Sequence, residues 1–295
     1  MATLRELRTR IGSVSSTEKI TGAMKMISSA KVHKNEAALK ELAPFKSQIQ
    51  KIMSHILASG VTFTSPLIEE REVKSVAVVA YGSDDGLCGA FNLNLFKHLL
   101  IEINNINEKF GDVKITIYAV GKKLAKACEK LKVRGIDVKT INGVDSKMEG
   151  EKVNEFTESL RKSFLEGTYD CVEVVYTHFF SMARQRPAAV QLFPVIQSLI
   201  ATEPVSAEDA NQLYIFEPDA NRIFNEVLPM FVLSSMQEFT IENRASEQAA
   251  RVMAMQSAND NAQKLLEELQ LEFNKLRQQS ITTELLDIIG GQIGR

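Results

Sequence analysis

The chain has 295 residues, a formal net charge of −2 at pH 7 and an apolar fraction of 44%. This composition is ordinary for a globular protein and gives no bulk attraction to nucleic acid or anionic lipid. No apolar run approaches the length of a membrane-spanning helix, so we expect no membrane insertion. Three widely spaced cysteines without a CxxC pair indicate a reducing compartment.

The first 57 residues have the pattern of one long amphipathic helix. Thr3 and Glu6 match a capping box, in which each side chain satisfies a free amide of the first turn. Pro44 removes one backbone hydrogen bond, so we expect a bend there and not a break. The expected apolar seam consists of Leu4, Leu7, Ile11, Val14, Ile20, Met24, Ile27, Ala30, Ala37, Phe45, Ile49, Ile52 and Ile56.

The middle of the chain has the pattern of an α/β domain. Apolar runs predict strands at 75–81, 114–120, 133–141, 171–180 and 187–196, and helical periodicity falls at 95–110, 122–131 and 153–165. The last two strands would be joined by a turn at Arg184, Gln185 and Arg186. This order predicts a small Rossmann-like domain, with a mostly parallel five-stranded sheet and an antiparallel final hairpin.

A second long helix occupies the C-terminal part of the chain. It runs to residue 289 and begins at Pro229, or near Pro218 with Pro229 as a kink. Its expected seam consists of Phe239, Ala245, Ala249, Val252, Met255, Ala258, Ala262, Leu265, Leu269, Phe273 and Leu276. One apolar stripe needs a partner, so the two long helices are expected to form an antiparallel coiled coil. Two separate core helices of one globule are the alternative.

This organisation gives three expected domains: an N-terminal coiled-coil helix at 1–57, a central α/β domain at 73–200 and a C-terminal coiled-coil helix at 218–289. In the antiparallel pairing we expect Met24 and Lys25 to lie at the level of Arg277 and Gln278. Residues near Ile56 would lie near residue 245.

No motif of the sequence predicts a catalytic, cofactor or metal site. The glycines of segment 81–89 follow a strand but match neither GxGxxG nor the P-loop pattern. A nucleotide site is therefore the weaker reading, and a tight turn capped by Asp84 or Asp85 is the stronger one. The four histidines are far apart in sequence, and the adjacent pairs Asp84–Asp85 and Glu267–Glu268 diverge on a regular element.

The seam of the second helix is rich in small residues between 245 and 262, which suits either a slender rod or an ordinary tight helix pair. Together with segments 20–26, 85–92 and 276–285, segment 246–262 resembles the gamma subunit of rotary, F-type ATP synthases of the bacterial type. The resemblance extends over essentially the whole chain. The family pattern usually has a basic residue where this sequence has Asp85, and a second Gly is common where it has Ala90.

The resemblance implies a noncatalytic rotor subunit without a cofactor. Its coiled coil would turn inside a ring of three alpha and three beta subunits. Its body would hold the epsilon subunit and the ring of membrane c subunits, so that proton flow is coupled to ATP synthesis or hydrolysis. The expected location is peripheral, on the cytoplasmic face of the bacterial inner membrane. Residues that match shaft positions facing the beta subunits are Met24, Lys25, Arg251, Arg277, Gln278 and Thr282.

Two other classes of function stay open at this point. One is a small-ligand α/β enzyme with a helical dimerisation arm. The other is a scaffold whose coil tethers two partners.

Overall fold

A computed structural model describes residues 3–58, 64–140, 146–148, 150–200 and 216–293. The sequence also predicts a connector at 200–214 between the α/β domain and the last helix, and this segment lies almost entirely outside the described residues. The helices are α1 (Leu4–Ala58), α2 (Phe91–Phe110), α3 (Lys122–Cys128), α4 (Gly150–Leu165), α5 (Gln197–Ile200) and α6 (Ala220–Ile293). The strands are β1 (Ser75–Tyr81), β2 (Lys114–Val120), β3 (Asp137–Lys139), β4 (Cys171–Ser181) and β5 (Arg184–Phe193). A short 3-10 helix, Glu129–Arg134, follows α3.

The five strands form one sheet in the order β3-β2-β1-β4-β5. Neighbouring strands are parallel except β5, which is antiparallel to β4. The sequence prediction of an α/β fold with a mostly parallel five-stranded sheet and long terminal helices is confirmed. The turn predicted at Arg184–Arg186 is wrong, because Arg184 already pairs with Ser181 and the hairpin turns at Met182 and Ala183.

Each face of the sheet has its own apolar core, because β1 is buried from Val76 onward and its side chains alternate between the two faces. On one face Val76, Val78 and Ala80 pack with α2 and α3. On the other face Ala77 and Val79 pack with α4, the end of α1 and the first part of α6. The sheet therefore holds the C-terminal end of α1 and the N-terminal part of α6 in one core.

The chain divides into two compact units. The first contains Met1–Ser29 and Arg251–Arg295, and the second contains Ala30–Ala250. Both long helices thus contribute residues to both units. Within the described residues, no helix is long and apolar enough to cross a membrane.

The ends of the long helices follow the local signals of the sequence. The amide of Thr3 donates to Glu6 Oε2 at 2.9 Å and the amide of Glu6 donates to Thr3 Oγ1 at 3.3 Å, which confirms the capping box. Helix α1 continues through Pro44, as expected. Asp219 accepts the amide of Arg222 at 2.8 Å and so caps the start of α6 just after Pro218.

Candidate partner-binding surface

The first unit contains a helix pair, which consists of residues 4–29 of α1 and 251–293 of α6. On the α6 side the predicted seam holds in the main, since Val252, Met255, Ala262 and Leu269 are buried. Leu265 is 44% exposed, and the half-buried neighbour Leu266 takes its place. The buried and half-buried positions recur at steps of three and four residues, as a coiled-coil seam requires.

The α1 side of the seam differs from the prediction beyond Val14. Ile20 and Ile27 are 59% and 57% exposed, whereas Thr21 and Ser28 are buried. The seven-residue frame set by Leu4, Leu7, Ile11 and Val14 continues through Glu18, Thr21, Lys25, Ser28 and Val32. The frame decides which residues face the partner helix, so polar side chains enter the seam and nearby isoleucines lie outside it.

The register of the two helices also differs from the expectation. In the first unit, Asn259 Nδ2 donates to the backbone oxygen of Glu18 at 2.7 Å. Asn259 also lies beside Gly22, so Lys25 is at the level of residues 252–256, and Gln278 lies about 30–40 Å farther along α6. The expected proximity of Met24 and Lys25 to Arg277 and Gln278 is wrong.

In the second unit the pairing is again antiparallel. Lys46 of α1 forms an ion pair with Glu238 of α6, and the amide of Thr64 donates to Asn221 Oδ1 at 2.9 Å. Ile56 lies between these two levels, nearer residue 228 than the expected 245. The pattern of apolar residues predicts that the two helices pair. Only the contacts between the helices show how far one is shifted along the other.

The six predicted contact residues fall into two groups within the first unit. Met24 is half-buried beside the seam, Lys25 is half-buried at a seam position, and Arg251 is buried at 6% exposure. Arg277, Gln278 and Thr282 are exposed near the other end of the helix pair. The Thr282 hydroxyl donates to the Gln278 backbone oxygen at 2.9 Å, so the side chains of these two residues share one face of α6.

Large apolar side chains lie on the outside of this helix pair. They lie outside the seam, although the sequence analysis had assigned three of them, Ile20, Ile27 and Leu265, to it. The exposed set in the first unit is Ile20, Met26, Ile27, Met253, Leu265, Leu271, Ile281, Leu285, Leu286, Ile288 and Ile289. A soluble monomer exposes single apolar residues routinely, but a series that follows two paired helices indicates a partner surface.

The loop after β1 is held by its own hydrogen bonds and has no described feature of a phosphate site. Asp84 accepts from the Ser146 amide at 3.1 Å, from the Ser146 hydroxyl at 2.7 Å and from the Lys122 amide at 3.0 Å. The Ser83 amide donates to Asn92 Oδ1 at 3.1 Å. These contacts match the expected tight turn in which Asp84 binds backbone amides.

Asp85 occupies the position where the resemblance leads one to expect a basic residue. Its carboxylate lies 2.9 Å from Lys147 Nζ. This hydrogen bond and the charge of Asp85 raise the pKa of Lys147. In this pair the acid, Asp85, lies on the loop after β1. The base, Lys147, follows Ser146, which Asp84 binds.

Loop and sheet are fastened to α6 by two side chains that sequence reasoning missed. Asn243 Nδ2 donates to the Gly82 backbone oxygen at 3.2 Å, and its Oδ1 accepts the Thr177 amide at 3.1 Å. Arg244 donates to the backbone oxygens of Ser146, at 2.7 Å, and Met148. The adjacent polar residues Asn243 and Arg244 could have indicated these contacts from the sequence. Neither side chain is needed to form the helix, so both are available to bind groups outside it.

A second group of charges joins α6 to α1 and β4 within the second unit. Glu238 pairs with Lys46, and Glu242, one turn farther along α6, lies 2.6 Å from His178 Nδ1. Burial raises the pKa of Glu242, and the hydrogen bond from His178 opposes that shift. The α6 segment in this unit is therefore held to the sheet by charged contacts as well as by the apolar core.

The described residues contain no cluster of three or more His, Cys, Asp or Glu side chains that could hold a metal ion. Cys88, Cys128 and Cys171 are buried free thiols. Burial raises the pKa of Cys128 and Cys171, so neither is a reactive thiolate near neutral pH.

A family described as ATP synthase matches residues 3–293. The chain is 39% identical to the ATP synthase gamma chain of Bacteroides fragilis over 293 residues, which is 99% of this chain and 100% of that relative. The chain belongs to the ATP synthase gamma-chain family. The gamma chain of Bacteroides thetaiotaomicron is 37% identical over 301 residues, with 99% and 100% of the two chains covered.

Solved structures of lower identity share the fold of this chain. A chain of the Euglena gracilis mitochondrial ATP synthase, in the OSCP/F1/c-ring in rotational state 3, has a TM-score of 0.60 at 21% identity, with 99% of this chain and 94% of that chain covered. A chain of the rotor of the same enzyme in rotational state 1 has a TM-score of 0.59 at 21% identity, covering 94% and 98%. These likenesses show a shared fold.

Proposed function

We propose that this chain is the central-stalk rotor subunit of a proton-translocating ATP synthase and performs no bond chemistry itself. The observation that carries the proposal is the apolar exterior of the helix pair in the first unit. Ile20, Ile27 and Met253 present large apolar side chains to the outside while the seam between the helices is already filled. Partner subunits that surround such a surface remove its apolar side chains from water, which stabilises the assembly.

In this proposal each of the two units binds different partner subunits. The alpha and beta subunits form the hexameric sleeve around the first unit, and the epsilon subunit and the c-subunit ring bind the second. The coil helices of this assignment are 1–57 and 218–289, and the α/β body is 73–200. The subunit is peripheral, at the cytoplasmic face of the bacterial inner membrane, and it reaches the membrane through the c ring.

The two groups of predicted contact residues suit beta-subunit contacts at two levels of the shaft. Met24, Lys25 and Arg251 would form the first level, and Arg277, Gln278 and Thr282 would form the second. Guanidinium and amide groups exchange hydrogen bonds readily, so contacts with successive beta subunits can break and re-form as the shaft turns. The helix pair presents different residues on different sides, and an asymmetric shaft favours a different conformation in each surrounding subunit.

The proposal is tested by placing a charge on the outer surface. Ile20→Glu is expected to reduce assembly with alpha and beta subunits and to lower ATP synthesis at least about tenfold, because a carboxylate would be desolvated in the sleeve. Its unfolding midpoint should remain near that of the unsubstituted chain, since Ile20 is 59% exposed.

Ile101→Glu is the matched control. Ile101 is 54% exposed on α2 in the second unit, so this variant should assemble normally with alpha and beta subunits. Normal assembly and ATP synthesis by Ile20→Glu, or equal loss by both variants, would reject the sleeve. Sedimentation with purified alpha and beta subunits and synthesis in reconstituted vesicles give the two readouts.

The second level of contacts is tested by Gln278→Ala and Arg277→Ala. Both side chains are exposed, so folding should be unaffected. ATP-driven proton pumping should fall more than ATP hydrolysis, because a weakened contact loosens coupling before it stops the catalytic subunits. Lys162→Ala, on the exposed surface of α4, is the control that should leave the ratio of pumping to hydrolysis unchanged.

A further inference from the structure

One polar residue interrupts the apolar seam of α6 in the helix pair. On either side of Asn259 the seam positions are Val252 and Met255 toward the N-terminus and Ala262 and Leu269 toward the C-terminus. A single Asn among apolar seam residues weakens a coiled coil but restricts the registers in which the helices pair. The contacts of Asn259 on α1 therefore bear on the register of the two helices.

The Asn259 amide reaches across the seam to one place on α1. Its Nδ2 atom lies 2.7 Å from the Glu18 backbone oxygen and 3.4 Å from Thr21 Oγ1. The Thr21 hydroxyl itself donates to the backbone oxygens of Thr17 and Glu18, both at 3.0 Å. The Glu18 carbonyl is thus the acceptor on which the Asn259 and Thr21 side chains converge.

Gly22 makes room for this contact. A Cβ atom at position 22 would lie 3.4 Å from Asn259 Nδ2, which is at the limit of an ordinary van der Waals contact. Gly costs a helix interior about 1 kcal/mol relative to Ala, so Gly22 does not serve α1 taken alone. Asn259 and Gly22 fit each other in the observed register, and a shifted register would place the amide opposite a larger side chain.

We propose that Asn259 is a positioning residue that fixes the axial register of α1 against α6 in the first unit. The inference rests on the proposed rotor function in one respect, namely that the register sets the level at which each helix presents its contact residues. Both helices continue without a break into the second unit, so a slip of one heptad in the first unit needs a local bulge in one of them. Such a slip would shift that helix by about 10 Å, which would displace Met24 and Lys25 relative to Arg251. The side chain thus determines which contact residues can act together.

Paired cysteines in the full-length chain test the register directly. By the observed register, Val14→Cys with Leu266→Cys should form a disulfide, and Val14→Cys with Phe273→Cys, one heptad away, should not. In an Asn259→Leu background we expect the slipped pair to cross-link, with the ratio of slipped to native product raised by about fivefold or more. The three natural cysteines are buried, and single-cysteine variants measure their background.

Stability separates a positioning role from a merely structural one. Asn259→Leu should keep or raise the unfolding midpoint, because it replaces a polar seam residue with an apolar one of similar volume. Asn259→Asp should lower the midpoint, since it faces the Glu18 carbonyl with a carboxylate and no donor. The matched control Asn261→Leu carries the same substitution at an exposed position of α6 and should leave the cross-linking pattern unchanged.

The Gly22→Ala variant supplies a further control. Its methyl group would make an ordinary contact with the Asn259 amide, so the native product should stay dominant in this variant. An Asn259→Leu chain that cross-links only in the native register would overturn the inference. Because this readout uses the chain alone, it stands whether or not the chain assembles as a rotor.

In the assembled enzyme, Asn259→Leu should lower the ratio of ATP-driven pumping to hydrolysis while the amount of assembled complex is maintained. An unchanged ratio with a slipped register would show that the register does not serve coupling. Failure of the unsubstituted chain to assemble at all would instead reject the proposed function.

Discussion

His178 on β4 and Glu242 on α6 are 2.6 Å apart, although 64 residues separate them in sequence. The Glu242 side chain is only 8% exposed, whereas His178 is 36% exposed. The histidine ring is therefore the hydrogen-bonding partner of a carboxylate that water reaches poorly. This contact joins the last strand of the parallel part of the sheet to the C-terminal helix.

His178→Ala is expected to destabilise the chain by about 1–3 kcal/mol, because it leaves the Glu242 carboxylate buried without its donor. Denaturant unfolding at pH 7 measures the change. His33→Ala is the matched control. It removes an exposed His–Glu contact with Glu36 on α1 and should change stability by less than about 0.5 kcal/mol. Equal effects of the two variants would contradict the role of burial.

Glu173 predicts a pH dependence of stability. It lies on β4 at 8% exposure, and its Oε2 atom has no hydrogen-bond partner. Burial first, and then the like charge of Glu102 on α2, raise its pKa from the ordinary 4.5 to about 7, with Lys109 acting in the opposite direction. Because the folded state holds this proton more tightly than the unfolded state, the contribution to stability becomes unfavourable as pH rises from about 4.5 to 7, and is constant above that range.

Glu173→Gln should therefore stabilise the chain by about 2 kcal/mol at pH 8 and have little effect near pH 4.5. Urea titrations between pH 4.5 and 8 provide the measurement. Glu108→Gln, an exposed residue of the same helix as Glu102, is the control and should show no comparable slope. A Glu173→Gln chain whose stability gain is the same at both pH values would refute the assignment.

Gly82 lies where β1 approaches α3. A Cβ atom there would be 2.3 Å from the Leu124 Cβ atom, which is bonded directly to the helix backbone and cannot move aside without shifting α3. Gly82→Ala is expected to lower the free energy of unfolding by about 3 kcal/mol through overpacking. Thermal and urea unfolding of the purified chain measure it.

Gly12→Ala gives the opposite expectation for the same substitution. Position 12 is exposed within α1, and no atom lies within 4 Å of an added Cβ. The change should stabilise the helix by up to about 1 kcal/mol, because alanine has the higher helix propensity. Destabilisation at both positions would show that backbone freedom, and not crowding, decides the effect at Gly82.

Asp84 predicts a link between the loop after β1 and the start of α3. It accepts three hydrogen bonds, from Ser146 twice and from the Lys122 amide. Asp84→Ala should cost about 2 kcal/mol and speed proteolysis near residue 146, since three donors lose their acceptor. Asp84→Asn retains one acceptor oxygen and should recover part of the loss. Identical behaviour of the two variants would indicate that the hydrogen bonds contribute nothing.

Local rules were sufficient where a feature depends on neighbouring residues. The capping box at Thr3 and Glu6, the helix start near Pro218 and the strands at 75–81 and 114–120 were predicted because each requires only a few adjacent side chains. The hairpin turn was misplaced by two residues, since Arg184 and Arg186 look like turn residues but complete a strand pairing. The six contact residues came from family resemblance and remain a proposal.

The fold class, the two long helices and the family follow from the amino-acid order alone, because periodicity and motif identity are local properties of the chain. Tertiary structure decided the register and the face of each helix. Ile20 and Ile27 are apolar but lie outside, and Thr21 and Ser28 are polar but lie inside. Both residue types tolerate both places on a helix, so the choice depends on the partner helix, and here on the amide of Asn259 meeting the carbonyl of Glu18.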